Sequence, residues 1–348
     1  MKFVYALLIL VPIAFVLEST HAAPTAIFAI SALALVPLAA ILGRATEEAA
    51  LYTGPKIGAL LNATLGNAAE LIITIVALRA GLIAVVKASI AGSIIGNILI
   101  VLGLSLLLGG LRNGTQFFDA KTAGANANMM ALSVIALVVP AIFALGSEDI
   151  RPTPEDDQFI SDGLAVVLIV VYALYLIYSL RGDAGAPVEP EHHGAAMKLP
   201  VALAILAGST ILIVFMSEFL VGAVEPTAEQ WGLSELFIGV MLVPLVGNIA
   251  EHIVAVQVAI QNKMDLSLGI AVGSGLQIAL FVAPALVIAG VILGQPMNLI
   301  FNAYELAALV GAAVIASLIS VDGESNWLEG AQLVALYIML GIAFFFVG

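Results

Sequence analysis

The chain has 348 residues, of which 62% are apolar and only 10% charged, with a formal net charge of −13. Soluble domains carry about 25% charged residues, so this composition excludes a water-soluble shell and makes the bilayer the natural solvent. With no cysteine there are no disulfides or thiolate metal sites; the four histidines, His21, His192, His193 and His252, are too scattered for a His-based zinc enzyme, and an acidic chain lacks the basic patches of nucleic-acid binders.

A helix crossing the hydrocarbon core needs about 20 predominantly apolar residues. In chain order, polar breaks leave eleven such segments, at approximately 2–17, 24–43, 57–79, 82–109, 125–146, 159–180, 199–223, 232–260, 265–293, 298–320 and 328–347. The predicted fold class is therefore all-α, a polytopic membrane protein of about eleven transmembrane helices. The first segment, Lys2 and an apolar run ending in Thr20-His21-Ala22-Ala23, also resembles a secretory signal; the apolar spans that follow at once favour a membrane helix. Between the fifth and sixth segments the acids Glu148, Asp149, Glu155, Asp156 and Asp157 read as a solvated surface. The stretch from Arg181 to Lys198 holds Gly182, Gly185, Pro187 and Pro190 and reads as a flexible linker, with Glu189, Glu191, His192 and His193 as solvated loop residues.

Basic residues set the orientation. With the N-terminus in the cytoplasm, that side holds Lys2, Arg44, Lys56, Arg112, Lys121, Arg181, Lys198 and Lys263, and the other only Arg79, Lys87 and Arg151. Eight against three predicts a cytoplasmic N-terminus and a C-terminus on the opposite face.

Two segments carry nearly the same sequence. Gly66-Asn67-Ala68-Ala69-Glu70 in the third returns as Gly247-Asn248-Ile249-Ala250-Glu251 in the eighth, and the same 181-residue offset takes Gly92-Ser93 to Gly273-Ser274. The chain thus divides into an extra N-terminal helix (1–17), a first repeat (24–180), a linker (181–198) and a second repeat (199–348). Spans five apart cross the membrane in opposite directions, which makes these two inverted-topology five-helix repeats, an architecture of secondary transporters that bind substrate near the bilayer midplane.

An ionised carboxylate at the bilayer centre costs about 2.5–3.5 kcal/mol on insertion scales. Glu70 and Glu251 lie well inside apolar runs with no Lys or Arg one turn away, so a bound cation, a proton or water must compensate. Asn67 and Asn248 precede them by three residues and share their helix face. Each motif then offers an amide oxygen beside a carboxylate, the donors a hard cation such as calcium prefers. Gly66 and Gly247, with Pro244 nearby, permit either an interrupted helix that releases backbone carbonyls or close helix packing. Ser89, Ser93 and Asn97 form a polar stripe on the fourth span, and Ser274 and Gln277 share a face of the ninth; interhelical hydrogen bonding and ion-pathway lining both fit, with Asn97 and Gln277 the better pathway candidates. His252 follows Glu251 and fits either a proton relay or a histidine bonded between helices; Leu71 stands at the matching place in the first half.

The runs Leu61-Asn62-Ala63-Thr64-Leu65-Gly66-Asn67-Ala68-Ala69-Glu70-Leu71-Ile72 and Gly247-Asn248-Ile249-Ala250-Glu251-His252 resemble the two signature repeats of the calcium/proton exchangers, within the calcium/cation antiporter superfamily. The stretches 262–274 and 43–48 are similar to that family too; the linker differs, being short and only mildly acidic where some relatives carry an acidic run. The resemblance implies an antiporter exchanging calcium for protons by alternating access, with Glu70 and Glu251 as transport carboxylates and Asn67, Asn248 and the matched Gly-Ser helices around them. It implies no enzyme activity and no cofactor; the ions carried are calcium and protons, the surroundings are lipid, and the location is a multi-pass position in a prokaryotic plasma membrane. Assembly into a homo-oligomer is compatible with this. Residues alone stop at a secondary cation transporter, with a sodium-coupled exchanger the nearest rival, and an intramembrane acid hydrolase and a channel the others.

Overall fold

A computed structural model describes residues 2–53, 55–144, 153–180 and 197–347. Most of the linker (181–196), with Arg181, Glu189, Glu191, His192 and His193, lies outside the described residues, as do Glu148, Asp149 and Arg151.

The described chain is helical apart from one short hairpin-like pairing. Lys2–Ala6 and a tight 3₁₀ turn lead into α1 (Leu10–Ser19). There follow α2 (Pro24–Ala50), α3 (Pro55–Leu65), α4 (Ala68–Arg79), α5 (Ile83–Gly96), α6 (Leu102–Asn113), α7 (Ala120–Ala144) and α8 (Pro154–Leu180). The second half contains α9 (Leu199–Gly222), the short α10 (Val224–Trp231), α11 (Val243–Ile260), α12 (Met264–Gln277), α13 (Ala283–Leu293), α14 (Ala303–Ile319) and α15 (Trp327–Phe346). Eight helical stretches are long and apolar enough to cross a membrane, and Val4–Ser19 and Ala303–Ile319 are shorter apolar helices. With the broken pair α3 and α4, these occupy all eleven predicted segments. The predicted end at Gly43 is overrun: α2 continues through Arg44, Glu47 and Glu48 to Ala50. A polar last turn marks where a helix leaves the hydrocarbon, and helical hydrogen bonding does not have to stop there.

Three five-residue π-helical segments interrupt these passages, at Asn97–Val101, Ile238–Leu242 and Ile278–Val282. Pro244 and Pro284 stand two positions beyond the second and third. A proline ring clashes with the carbonyl four residues back, here Val240 and Leu280, and a π segment relieves that clash. At the first, the Asn97 amide donates to the Ser93 carbonyl at 3.0 Å, a side-chain bond that competes with the regular backbone ladder.

The chain forms two compact units, Met1–Ser89 with Glu189–Glu251 and Phe345–Gly348, and Ile90–Val188 with His252–Phe344. Each draws on both halves of the sequence. In the first unit α2 packs along α9, α9 also meets α4, and Phe28, Leu35, Leu38, Ile213, Met216 and Leu220 build the core. Val11 and Ala14 of α1 are buried in the same core, and Phe15 packs edge-on against Phe215 and Phe219. In the second unit α7 packs on α12 and α14, and α8 on α13, with Tyr172 stacked on Phe281. Gly103 of α6 and Gly330 of α15 sit at a backbone-to-backbone approach, where a methyl on Gly103 would lie 2.9 Å from Leu333 Cβ.

Loop contacts fall into sets. In the second unit β1 (Gln116–Phe117) pairs antiparallel with β2 (Glu324–Ser325), in register Gln116 with Ser325. Gln116 Nε2 also donates to Ala259 O (2.8 Å) and Asn262 Oδ1 (3.1 Å), and the Asp119 N–H donates to Asp265 Oδ1 (2.7 Å). A separate set joins Gln158 Nε2 to Met297 O and the Leu299 N–H to Ser161 Oγ. In the first unit the Met197 N–H donates to Glu48 Oε2 (3.0 Å), the Tyr52 hydroxyl donates to Met197 O (2.7 Å), and Ser234 Oγ donates to Val347 O (3.2 Å). Every one of these bonds joins loops that the Lys and Arg count assigns to one and the same side.

Candidate functional site

The first acid motif breaks its helix. α3 ends at Leu65, a turn covers Gly66 and Asn67, and α4 starts at Ala68. Asn67 (φ −97°, ψ 25°) is the N-cap, its carbonyl accepting from the Leu71 N–H at 3.0 Å. Glu70 therefore sits in the first turn of α4, where the positive end of a helix dipole favours a carboxylate. The second motif behaves differently. α11 runs unbroken through Gly247, Asn248 and Glu251, and the irregularity lies upstream, in the π segment before Pro244.

Both motifs belong to the first unit. Glu70, Asn67 and Asn248 are buried and Glu251 is half-buried. Glu70 packs against the bare Cα of Gly247: a methyl there would lie 3.2 Å from Glu70 Cγ and 3.5 Å from Oε1. Glu70 and Glu251 are close enough for their charges to act on one another, while among the described residues no Lys or Arg acts on Glu70. Glu70 Oε2 is buried without a hydrogen-bond partner among the described residues. Asn248 Nδ2 donates to Pro244 O at 3.2 Å, which fixes the amide and makes its oxygen the acceptor end. Thr74, one turn beyond Glu70, donates its hydroxyl to the Glu70 carbonyl at 2.7 Å. Among the described residues no group of three or more His, Cys, Asp or Glu could hold a metal ion, so a cation here would depend on two carboxylates completed by amide and backbone oxygens.

The remaining candidates lie in the second unit. Asn97 Nδ2 donates to Ser274 Oγ at 3.3 Å as well as to Ser93 O, so the polar stripes of α5 and α12 meet in a hydrogen bond. Gly275 lies against Asn97 Cβ (3.9 Å for an added methyl) and the Met130 methyl. Gln277 and His252 are half-buried, and His252 Nε2 makes no hydrogen bond among the described residues.

Two buried acids were given no role in the sequence reading, Glu48, bound by the Met197 N–H, and Glu305. Glu305, at the start of α14, accepts from the Asn302 N–H while Asn302 accepts from the Glu305 N–H, a reciprocal capping box. The spacing Asn302-x-x-Glu305 ahead of an apolar run is its signal, and it accounts for this carboxylate without a transport role.

Such a site on a polytopic helical scaffold defines a membrane carrier. The chain belongs to the sodium/calcium exchanger protein family, whose model matches residues 23–181 and 201–346. It is 48% identical to a Ca(2+)/H(+) antiporter of Aphanothece halophytica over 98% of this chain and 96% of that one. It is 41% identical to the Ca(2+)/H(+) antiporter ChaA of Bacillus subtilis over 96% of each. Among solved structures it resembles native YfkE, with a TM-score of 0.86 at 39% identity over 99% of this chain and all of that one. The H+/Ca2+ exchanger CAX shares the fold, with a TM-score of 0.79 at 17% identity over 99% of this chain and 92% of that one. The expected all-α polytopic exchanger fold and family membership are thus borne out, in a transporter family and not an enzyme one.

Proposed function

We propose that this chain is a secondary antiporter that exchanges calcium for protons by alternating access, with Glu70 and Glu251 binding either the cation or protons near the bilayer midplane. The observation that carries this reading is the pair of interacting carboxylates in one compact unit, one of them buried against Gly247 and, among the described residues, acted on by no Lys or Arg. Two carboxylates carry −2, which one divalent cation or two protons neutralise equally well. With neither bound, two bare charges face each other in a poorly solvated site, at a cost of several kcal/mol per ion. The empty ionised carrier therefore cannot switch sides, and that prohibition is the coupling.

Asn67 and Asn248 add amide oxygens, and the break between α3 and α4 leaves the last-turn carbonyls of α3 without intrahelical partners, an oxygen set suited to calcium over the smaller, reluctantly dehydrated magnesium. Ser93, Ser274, Asn97, Gln277 and His252 are assigned to the ion pathway. The chain is read as two inverted repeats, 24–180 and 199–348, after an N-terminal helix (1–17) and around the linker (181–198). The 181-residue offset supports this, since it also separates the π segments starting at Asn97 and Ile278. The loop contacts support the alternation of sides, the Lys and Arg bias favours a cytoplasmic N-terminus and an opposite C-terminus, and bacterial relatives support a prokaryotic plasma membrane with lipid around the helices. No cofactor enters this mechanism.

The test is purified protein in vesicles with an imposed proton gradient and a calcium indicator, with and without sodium. Proton-driven calcium movement that ignores sodium is expected. Movement that requires sodium would replace this reading with a sodium-coupled exchanger, and calcium flux without proton counter-movement would replace it with a channel.

A further inference from the structure

Along α4 the residues three, four and seven places beyond Glu70, which share its helix face, are Ile73, Thr74 and Ala77. All three are buried, and with Val85 and Ser89 of α5 and Val243 of α11 they enclose a cavity of about 10 Å³ within the first unit. One water at most would fit, and the walls offer it little: the Thr74 hydroxyl is committed to the Glu70 and Leu71 carbonyls, at 2.7 and 3.1 Å. A buried water needs about two to four polar partners, so this layer excludes water. It closes the face of α4 between Glu70 and the helix end at Arg79. Gly239 caps the layer. It lies in the π segment Ile238–Leu242, and a methyl there would lie 2.5 Å from Ala88 Cβ and 3.0 Å from Val85 O, so the segment crosses α5 backbone to backbone.

The second motif supplies an internal comparison. At the 181-residue offset the counterparts of Ile73, Ala77, Val85, Ala88 and Ser89 are Val254, Val258, Leu266, Gly269 and Ile270, on the stretch that runs from Glu251 past Lys263. Ile73 is 2% exposed and Val254 37%. Ala88 is buried, whereas Gly269 is exposed and an added methyl there meets nothing within 4 Å. Val258, Leu266 and Ile270 are half-buried where Ala77, Val85 and Ser89 are buried; Thr74 and its counterpart Ala255 are buried alike. Gly58, the counterpart of Gly239, meets Ala50 of α2. Equivalent positions are thus shut along the helix of one acid and open along that of the other.

We propose that the crossing of Gly239 over Val85 and Ala88, with the apolar layer beneath it, is the gate that shuts Glu70 off from the Arg79 face of the membrane, and that in this state water and ions enter from the Lys263 face past Val254, Val258 and Ile270. The proposal rests on the antiport reading above, but not on its orientation, since each face is named by its own basic residue. A gate of small and apolar groups has no ion pair to break when it opens. Glycine suits position 239 because a side chain there would hold the two backbones apart.

Single cysteines in the full chain, reconstituted in vesicles and exposed to an impermeant maleimide on either face, test this. Ser89→Cys, nearly isosteric and within the layer, should label slowly from both faces, and Val254→Cys quickly, from the Lys263 face alone. Adding Gly239→Ala should raise labelling of Ser89→Cys from the Arg79 face about tenfold, because an overpacked crossing holds the gate open, and should slow exchange. Adding Ala88→Gly as well removes the methyl that Gly239→Ala strikes and should bring labelling back down, a rescue that a folding defect would not show. Labelling of Ser89→Cys that Gly239→Ala leaves unchanged, or that Ala88→Gly does not lower again, would overturn the proposal. So would a Val254→Cys that the reagent reaches from neither face, which would place that position against lipid. If the labelling holds while Glu70→Gln and Glu251→Gln still exchange calcium for protons, the gate stands and the transport carboxylates fall.

Discussion

Glu70 of one motif lies against Gly247, the first residue of the other, so closely that a methyl there would sit 3.2 Å from Glu70 Cγ and have to push it aside by a few tenths of an ångström. The two signature sequences, 181 residues apart, are thus fitted to each other at an atomic contact, and the glycine of one is the space for the carboxylate of the other.

Gly247→Ala should therefore displace the Glu70 carboxylate by a few tenths of an ångström. Overpacking of this kind costs about 1–3 kcal/mol, so apparent calcium affinity in equilibrium binding should fall about tenfold, and further in Gly247→Val. Gly273→Ala is the control, because a methyl there meets nothing within 4 Å. Equal affinities in wild type and Gly247→Ala would show that this contact does not shape the site.

Glu70→Gln and Glu251→Gln should each abolish proton-driven calcium uptake in vesicles and leave the protein folded, since glutamine is nearly isosteric and removes a costly charge. Asn67→Ala and Asn248→Ala should weaken calcium binding without abolishing transport; Asn248→Ala also loses the bond to Pro244 and about 1 kcal/mol of stability. Normal uptake by either glutamine variant would remove that carboxylate from the mechanism.

In the proposed mechanism calcium binds the deprotonated pair, so protons compete with it and affinity should fall as pH falls. Where both groups are protonated in the unliganded protein, two protons leave per calcium bound, and affinity should change about 100-fold per pH unit. At higher pH, where the unliganded pair is already ionised, the dependence should flatten. Isothermal titration at fixed ionic strength checks this, and a pH-independent affinity with both glutamates intact would contradict the shared-carboxylate mechanism.

A chain without cysteine suits labelling. Single cysteines at the exposed positions Arg112 and Glu229 should react with an impermeant maleimide from opposite sides, Arg112→Cys from the cytoplasm. Reaction of Arg112→Cys from outside alone would reverse the proposed orientation.

Most of this architecture is legible in the sequence because the bilayer enforces it. Runs of apolar residues near 20 long locate the eleven passages, and Gly66–Glu70 with Gly247–Glu251 locate the paired acids. The π segments are not legible: in a run such as Ile278–Val282 one extra residue per turn leaves composition unchanged, and no polar periodicity remains to betray the shift. Nor is the difference between the motifs, one broken at Gly66 and Asn67 and the other continuous, since the same Gly-Asn pair permits both. The extension of α2 past Gly43 is missed because hydropathy marks where a helix leaves the hydrocarbon, whereas Arg44, Ala45, Glu47 and Glu48 are helix formers that carry it on into water.

The π segments also carry a history. A segment of this kind is one residue in excess of an α-helix, and a single-residue insertion produces it. Those at Asn97–Val101 and Ile278–Val282 lie 181 positions apart, and regular helix resumes at Leu102 and Ala283 with the same offset. If the halves descend from one ancestral gene segment, two separate insertions would have had to strike the same place, whereas one insertion before the duplication gives both. The segment at Ile238–Leu242 has its counterpart at 57–61, inside the unbroken α3, so this one is not shared. The shared pair begins beside Asn97, which is hydrogen-bonded to Ser274, and the unshared one precedes Glu251, so the two acid-bearing stretches differ in local winding where the stretches that follow them agree.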